Sequence, residues 1–303
     1  MPTRALLVPA LLGLVTCSPE LAGPVAPIAE AQVTPGPALD AGAAREAVVS
    51  FVEAYRASPE QGVLPLAGSV AGQDLASWVR WLGVQHREFD GTIEAAADVR
   101  DVEFVGTLES RRASGAQVGL SASVTFVFDP VDADPIELVR VLDGPVTLVR
   151  TELGAYRVID LLRNGVPMSD GIEVFRNEQH TEGEVTVRLD SLFMFPPNWQ
   201  FNVIIANEGD QDIALDPAGV ALFVDTGVGF ERVDGVITSS LDAVLAGGTV
   251  DGLMVFPAQD TANGRVLSLV YGTGKDALRF EFPLDDLVSV VPPPPPPPEG
   301  ETA

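Results

Sequence analysis

The chain has 303 residues, enough for two domains of ordinary size, and its 46 % hydrophobic content excludes a chain that is disordered by composition. A formal net charge of −25, with Lys275 as the only lysine, excludes a nucleic-acid partner, because such binding relies on Lys and Arg to neutralise phosphates. The single cysteine, Cys17, excludes a disulfide within the chain, so each domain must fold on burial alone. The 25 Pro and 29 Gly suit strands and turns better than long helices.

Residues 1–17 read MPTRALLVPALLGLVTC. Arg4 precedes an apolar run, 5–15, that is too short to span a bilayer as a mature helix; this is the pattern of a signal peptide. The end of the run, Leu14-Val15-Thr16-Cys17, resembles the lipobox of bacterial lipoproteins, with Thr16 where that family carries Gly, Ala or Ser. The resemblance implies lipidation at Cys17 and membrane anchoring at the cell surface or in the periplasm. Ordinary cleavage near the same place would leave a secreted chain instead. Residues 18–39 are rich in Pro and Ala and read as a tether.

Residues 40–165 carry helical periodicity first and strand periodicity second. Val48, Phe51, Val52 and Tyr55 fall on one helical face, with Asp40 as N-cap. A second helical patch over 75–84 places Trp78 and Trp81 three apart; core packing and a ligand stack both fit such a pair. From Val99 the period becomes two, and Val118, Leu120, Ala122, Val124, Phe126 and Phe128 alternate with polar or small residues. Strands over 136–142 and 146–150 flank Asp143-Gly144, a hairpin-type dipeptide, and 155–162 forms a last strand. Helices followed by antiparallel strands predict an α+β domain. The layout, with its closing segment YRVIDLLRNG at 156–165, resembles the cone-shaped NTF2-like family.

Residues 166–183 are polar, broken by Pro167, Gly171 and Gly183, and read as a linker. Residues 184–286 then hold six or seven short alternating strands with turns at steady spacing, which predicts an all-β sandwich. FNVIIAN at 201–207 with the following Gly209-Asp210, LFVD at 222–225, and Gly247-Gly248-Thr249 with GLMVF at 252–256 resemble the immunoglobulin-like domain of secreted bacterial antigens and lipoproteins. That resemblance implies a binding or structural surface and no catalytic residue. Residues 287–303 form a Pro-rich tail containing an unbroken proline run, 292–298.

Chemistry-bearing clusters are sparse. His86 and His180 stand far apart, with no His or Cys near either. Gly272-Thr273-Gly274-Lys275 lacks phosphate-loop spacing and reads as a hairpin turn. Asn207 to Asp212 sets oxygens at short spacing but lacks the downstream bidentate Glu of a calcium loop, so an Asx-type turn is expected. No catalytic, metal or cofactor residue is assigned. The sequence therefore predicts a non-enzymatic envelope lipoprotein acting through a protein or envelope-component partner. The second reading is a carrier of a small hydrophobic ligand, or an enzyme, using a pocket in 40–165. Tyr55, His86 and Asp160 would be its candidate residues.

Overall fold

Asp40 starts the first helix. Its carboxylate accepts from the Ala43 N–H at 3.1 Å, which satisfies one of the donors left open at a helix start. In α1 (Ala41–Gln61), Ala44, Val48, Phe51, Val52 and Tyr55 recur three and four apart and form one buried stripe. After the short α2 (Leu64–Ser69), α3 (Gln73–Glu88) repeats that pattern with Leu75, Trp78, Val79, Trp81 and Leu82 buried. The computed structural model describes residues 40–109, 114–163, 165–176, 178–259 and 264–284, all within one compact unit. The signal peptide, Cys17, the tether and the Pro-rich tail lie outside the described residues. Among the described residues, no helix is long and apolar enough to cross a membrane.

Four strands, β1 (Gly91–Glu109), β2 (Ser114–Pro130), β3 (Ile136–Arg150) and β4 (Tyr156–Asp160), form an antiparallel sheet in the order β1-β2-β3-β4. The helices cover its apolar face. The expected hairpin at Asp143-Gly144 does not form. Instead β3 runs unbroken, because β2 is long enough to pair with it from Phe128↔Ile136 to Ala116↔Leu148. Gly144 (φ +127) lies within the strand, where a Cβ would meet Leu162 Cδ1 at 2.7 Å. There the glycine permits a close approach rather than a turn. Two register shifts in β1, at Val99/Asp101 and Phe104/Gly106, interrupt the ladder as bulges do.

The stretch expected as a linker is hydrogen-bonded structure. It holds β6 (Val166–Pro167), paired with the preceding β5 (Leu162–Arg163), then β7 (Ile172–Val174) and β8 (Gln179–Glu182), both paired with the following β9 (Val185–Phe193). The remaining strands are β10 (Asn198–Asn207), β11 (Ile213–Ala214), β12 (Ala221–Asp225), β13 (Phe230–Asp234), β14 (Val236–Ile237), β15 (Ala243–Val244), β16 (Thr249–Pro257), β17 (Arg265–Tyr271) and β18 (Leu278–Pro283). A six-stranded sheet orders as β14-β16-β10-β9-β7, with β8 also on β9. A four-stranded sheet orders as β13-β12-β17-β18, and β11 pairs with β15.

One core lies between these larger sheets, where Val187, Phe201, Val203, Ile205 and Phe256 meet Leu222, Leu267, Leu269, Phe280 and Phe282. The opposite face of the six-stranded sheet is also covered. Phe193, Phe195 and Leu253 belong to the same apolar cluster as Trp78, Trp81 and Val124 of the first half. Helix α3 is therefore held between two sheets.

This arrangement overturns the predicted fold class, an α+β NTF2-like cone followed by an immunoglobulin-like sandwich. The chain is mainly β, with three α-helices against eighteen strands among the described residues, and its strands divide into several antiparallel sheets. The physical reason is the double burial of the middle sheet. A free-standing sandwich exposes the outer face of each sheet, whereas here β9, β10 and β16 bury residues against α3 as well. Asn202 and Ser191, on the paired strands β10 and β9, are buried as well.

Candidate functional site

Alternation and helical spacing bring one set of side chains to a common space. On α3, Trp78, Trp81, Leu82 and Gln85 stand at positions i, i+3, i+4 and i+7, with His86 beside them. On β2, Phe126 and Phe128 point to the same face, and on β3 so do Leu138, Arg140 and Leu142. The register sets Phe126 opposite Leu138 and Val124 opposite Arg140. With Tyr55 from α1, and Leu161, Arg163 and Met168 from the chain around β5, these residues enclose a cavity of about 120 Å³ that is partly open to solvent.

The wall is aromatic. Tyr55 packs against Trp78 and Phe126, each with ring centroids 5.1 Å away, and His86 lies 6.4 Å from Phe126. Two guanidiniums share this wall. Arg140 lies near Tyr55, and the Arg163 guanidinium sits 4.3 Å above the Phe195 ring. Neither arginine has a carboxylate within ion-pair distance among the described residues. Burial, then the repulsion of Arg140, pushes Arg163 down to about 10, with Tyr55 opposing. Burial raises Tyr55 above its usual range, and the two arginines offset part of that rise. Burial lowers His86, while the Ser58 backbone acts in the opposite direction; the buried His86 Nδ1 has no hydrogen-bond partner.

The second half of the chain braces the cavity from behind. Trp81 Nε1 donates to Gln200 Oε1 at 2.9 Å, Gln85 Nε2 donates to the same oxygen at 3.3 Å, and the Trp81 ring lies 5.1 Å from Phe193. At the end of α3, Ser240 N–H and Ser239 Oγ each donate to Glu88 Oε2 at 3.0 Å. Burial pushes the Glu88 carboxyl up, but these bonds and Arg87 together hold it below its ordinary value. Arg80–Asp190 and Arg87–Asp251, each 3.0 Å apart, add exposed ion pairs whose individual worth is small.

Of the residues proposed from sequence, Tyr55 and His86 meet in this cavity. Asp160 does not line it: its carboxylate accepts from Leu161 N–H at 2.9 Å, Ser169 N–H at 3.2 Å and Ser169 Oγ at 2.6 Å, which holds the turn after β4. Trp78 and Trp81 are buried in the core, as expected of such a pair, and both also line the cavity. His180 packs edge-on to Phe280, with centroids 5.5 Å apart. The oxygens of the Asn207–Asp212 stretch serve a turn: Asn207 Oδ1 accepts from Gly209 N–H, and Asp212 Oδ1 accepts from Ala246 N–H. Gly272 and Gly274, at φ 75 and 76, turn the chain between β17 and β18.

Sequence reasoning missed both arginines. Arg140 was visible in principle, since it occupies the apolar phase of β3 between Leu138 and Leu142. Arg163 gave no such signal, because its direction depends on the reversal between β5 and β6.

No family model matches the chain. No curated protein matches it either.

Proposed function

We propose that the protein is an exported binding module that holds a small molecule in the cavity between α1, α3 and the β2–β3 face. The carrying observation is the cavity itself: aromatic walls, a space of about 120 Å³, and cationic and hydrogen-bonding groups converging on it. Ligand sites characteristically combine an apolar lining with a few placed polar groups, and a cavity of about 150 Å³ is known to hold benzene. Among the described residues the lining includes Tyr55, His86, Arg140, Arg163 and Gln85 but no carboxylate or thiol to work with His86, which favours binding over turnover. Export and membrane anchoring through Cys17 belong to the same proposal and rest on the lipobox-like segment.

A thermal-shift screen of the mature chain against small aromatic and aliphatic compounds tests this reading. Compounds of six to nine heavy atoms are expected to raise the melting temperature, and Leu138→Trp, at the cavity wall, is expected to abolish the shift. The absence of a shift from any compound class, in a chain with native circular dichroism, would refute it.

A further inference from the structure

The strongest unexplained feature is the pair of arginines. The chain carries 43 acidic side chains against 18 basic ones, so a guanidinium has many carboxylates to choose from. The other bonded arginines near the cavity find one: Arg80 on Asp190 and Arg87 on Asp251. Arg140 and Arg163 are placed together in the same cavity wall, near Tyr55, without a carboxylate among the described residues. Bringing two like charges into a partly buried space is unfavourable unless an anion completes the site. The fold has alternatives that would avoid this cost, since β3 already supplies leucines on either side of Arg140.

We infer that the cavity takes a small organic monoanion, a carboxylate carried on an aromatic or compact apolar body. This rests on the reading that the cavity binds a small molecule, and it names the class. The carboxylate lies between Arg140 and Arg163, where planar forks of N–H donors suit its two oxygens, and the Tyr55 hydroxyl is at hand as a further donor. The apolar body lies against Trp78 and Phe126, whose faces are already ordered by Tyr55. An inorganic anion would satisfy the charges but leave the aromatic wall unused. A neutral ligand would fill the wall but leave the charges unpaired.

The overall charge of −25 opposes an approaching anion, but this long-range repulsion is small at the distances that matter. At physiological salt the screening length is about 8 Å, so charges beyond the cavity are largely damped while contacts within it are not. Burial, which makes the Arg163 guanidinium costly when unpaired, strengthens its attraction for a bound anion for the same reason.

Isothermal titration of the mature chain with benzoate, benzamide and inorganic phosphate tests the assignment. Benzoate is expected to bind at least about tenfold tighter than benzamide, the return from charge-assisted hydrogen bonds. Arg163→Gln and Arg140→Gln should each weaken benzoate by about tenfold or more while leaving benzamide nearly unchanged. Arg163→Met serves if the glutamine variants fold poorly. Equal affinity for benzoate and benzamide, or phosphate binding as tight as benzoate, overturns the assignment and leaves the binding reading standing. Failure of benzoate, benzamide and a wider neutral panel to bind at all overturns the binding reading itself.

Discussion

Replacing Arg163 with methionine should stabilise the ligand-free protein. The guanidinium is pushed from its ordinary value down to about 10 by burial first and by Arg140 second. At 1.36 kcal/mol per pH unit, this corresponds to roughly 3 kcal/mol of disfavoured charge in the folded state. A base whose folded value is depressed destabilises the fold at every pH below that value. The penalty is therefore fully present at neutral pH and fades only as pH rises beyond about 10 towards the ordinary arginine value. One term works against the substitution. The cation–π contact with Phe195 is lost, at about 0.5–2 kcal/mol, whereas methionine keeps the packing of the arginine stem. The net expectation is a gain of about 1–2 kcal/mol, or a rise of about 2–4 °C in Tm for each kcal/mol in a folded body of this size. Urea unfolding at pH 7 without ligand, followed by far-UV circular dichroism, measures it. A loss of stability beyond about 1 kcal/mol would show that the guanidinium is well paired in the fold, and the argument for an electropositive cavity would fail.

Trp81→Ala removes a buried ring that bridges the two halves and should cost about 3–5 kcal/mol in urea unfolding, with tryptophan fluorescence and circular dichroism shifting together. A split between the two transitions would mean that the second half folds independently of α3. His86 is depressed below 6.5 by burial, so the unfolded chain binds a proton that the folded chain resists, and stability falls as pH drops through that value. His86→Gln should flatten the decline between pH 7.5 and pH 5; equal slopes in variant and parent would contradict the burial argument. Gly252→Ala puts a Cβ 2.5 Å from Leu241 Cγ and 2.6 Å from Ser240 Oγ and Thr238 Oγ1, and should cost about 1–3 kcal/mol through overpacking. A thermal melt within error of the parent would show that this loop yields more easily than its hydrogen bonds suggest.

Local rules determined much of this protein. The cap at Asp40, the stripe from Val48 to Tyr55, the paired tryptophans of α3 and the alternation of β2 all follow from spacing within a dozen residues, and such spacing is written in the sequence. Pairing partners are not written there. Asp143-Gly144 has the chemistry of a turn, yet β2 supplies a neighbour for every residue around it, and the ladder outweighs the local preference. Residues 166–183 are polar and interrupted, yet β9 offers an edge on which two of their segments pair.

The largest difference lies between the halves. Alternation along β10 sets Phe201, Val203 and Ile205 on one face, opposite Asn202 and Ile204, and in an isolated sandwich that second face would meet solvent. Only the tertiary structure places α3 on that other face, so that Gln200 holds Trp81 and the wall of the cavity. The same holds for the site. Tyr55 and His86 could be singled out as ionisable groups in a helical half, but their meeting with Arg140 and Arg163 joins residues more than fifty positions apart. A sequence reveals which face of each element is apolar, because that is a property of a single element. Which faces meet, and which charges are thereby left sharing one space, is decided by packing among elements distant in the chain.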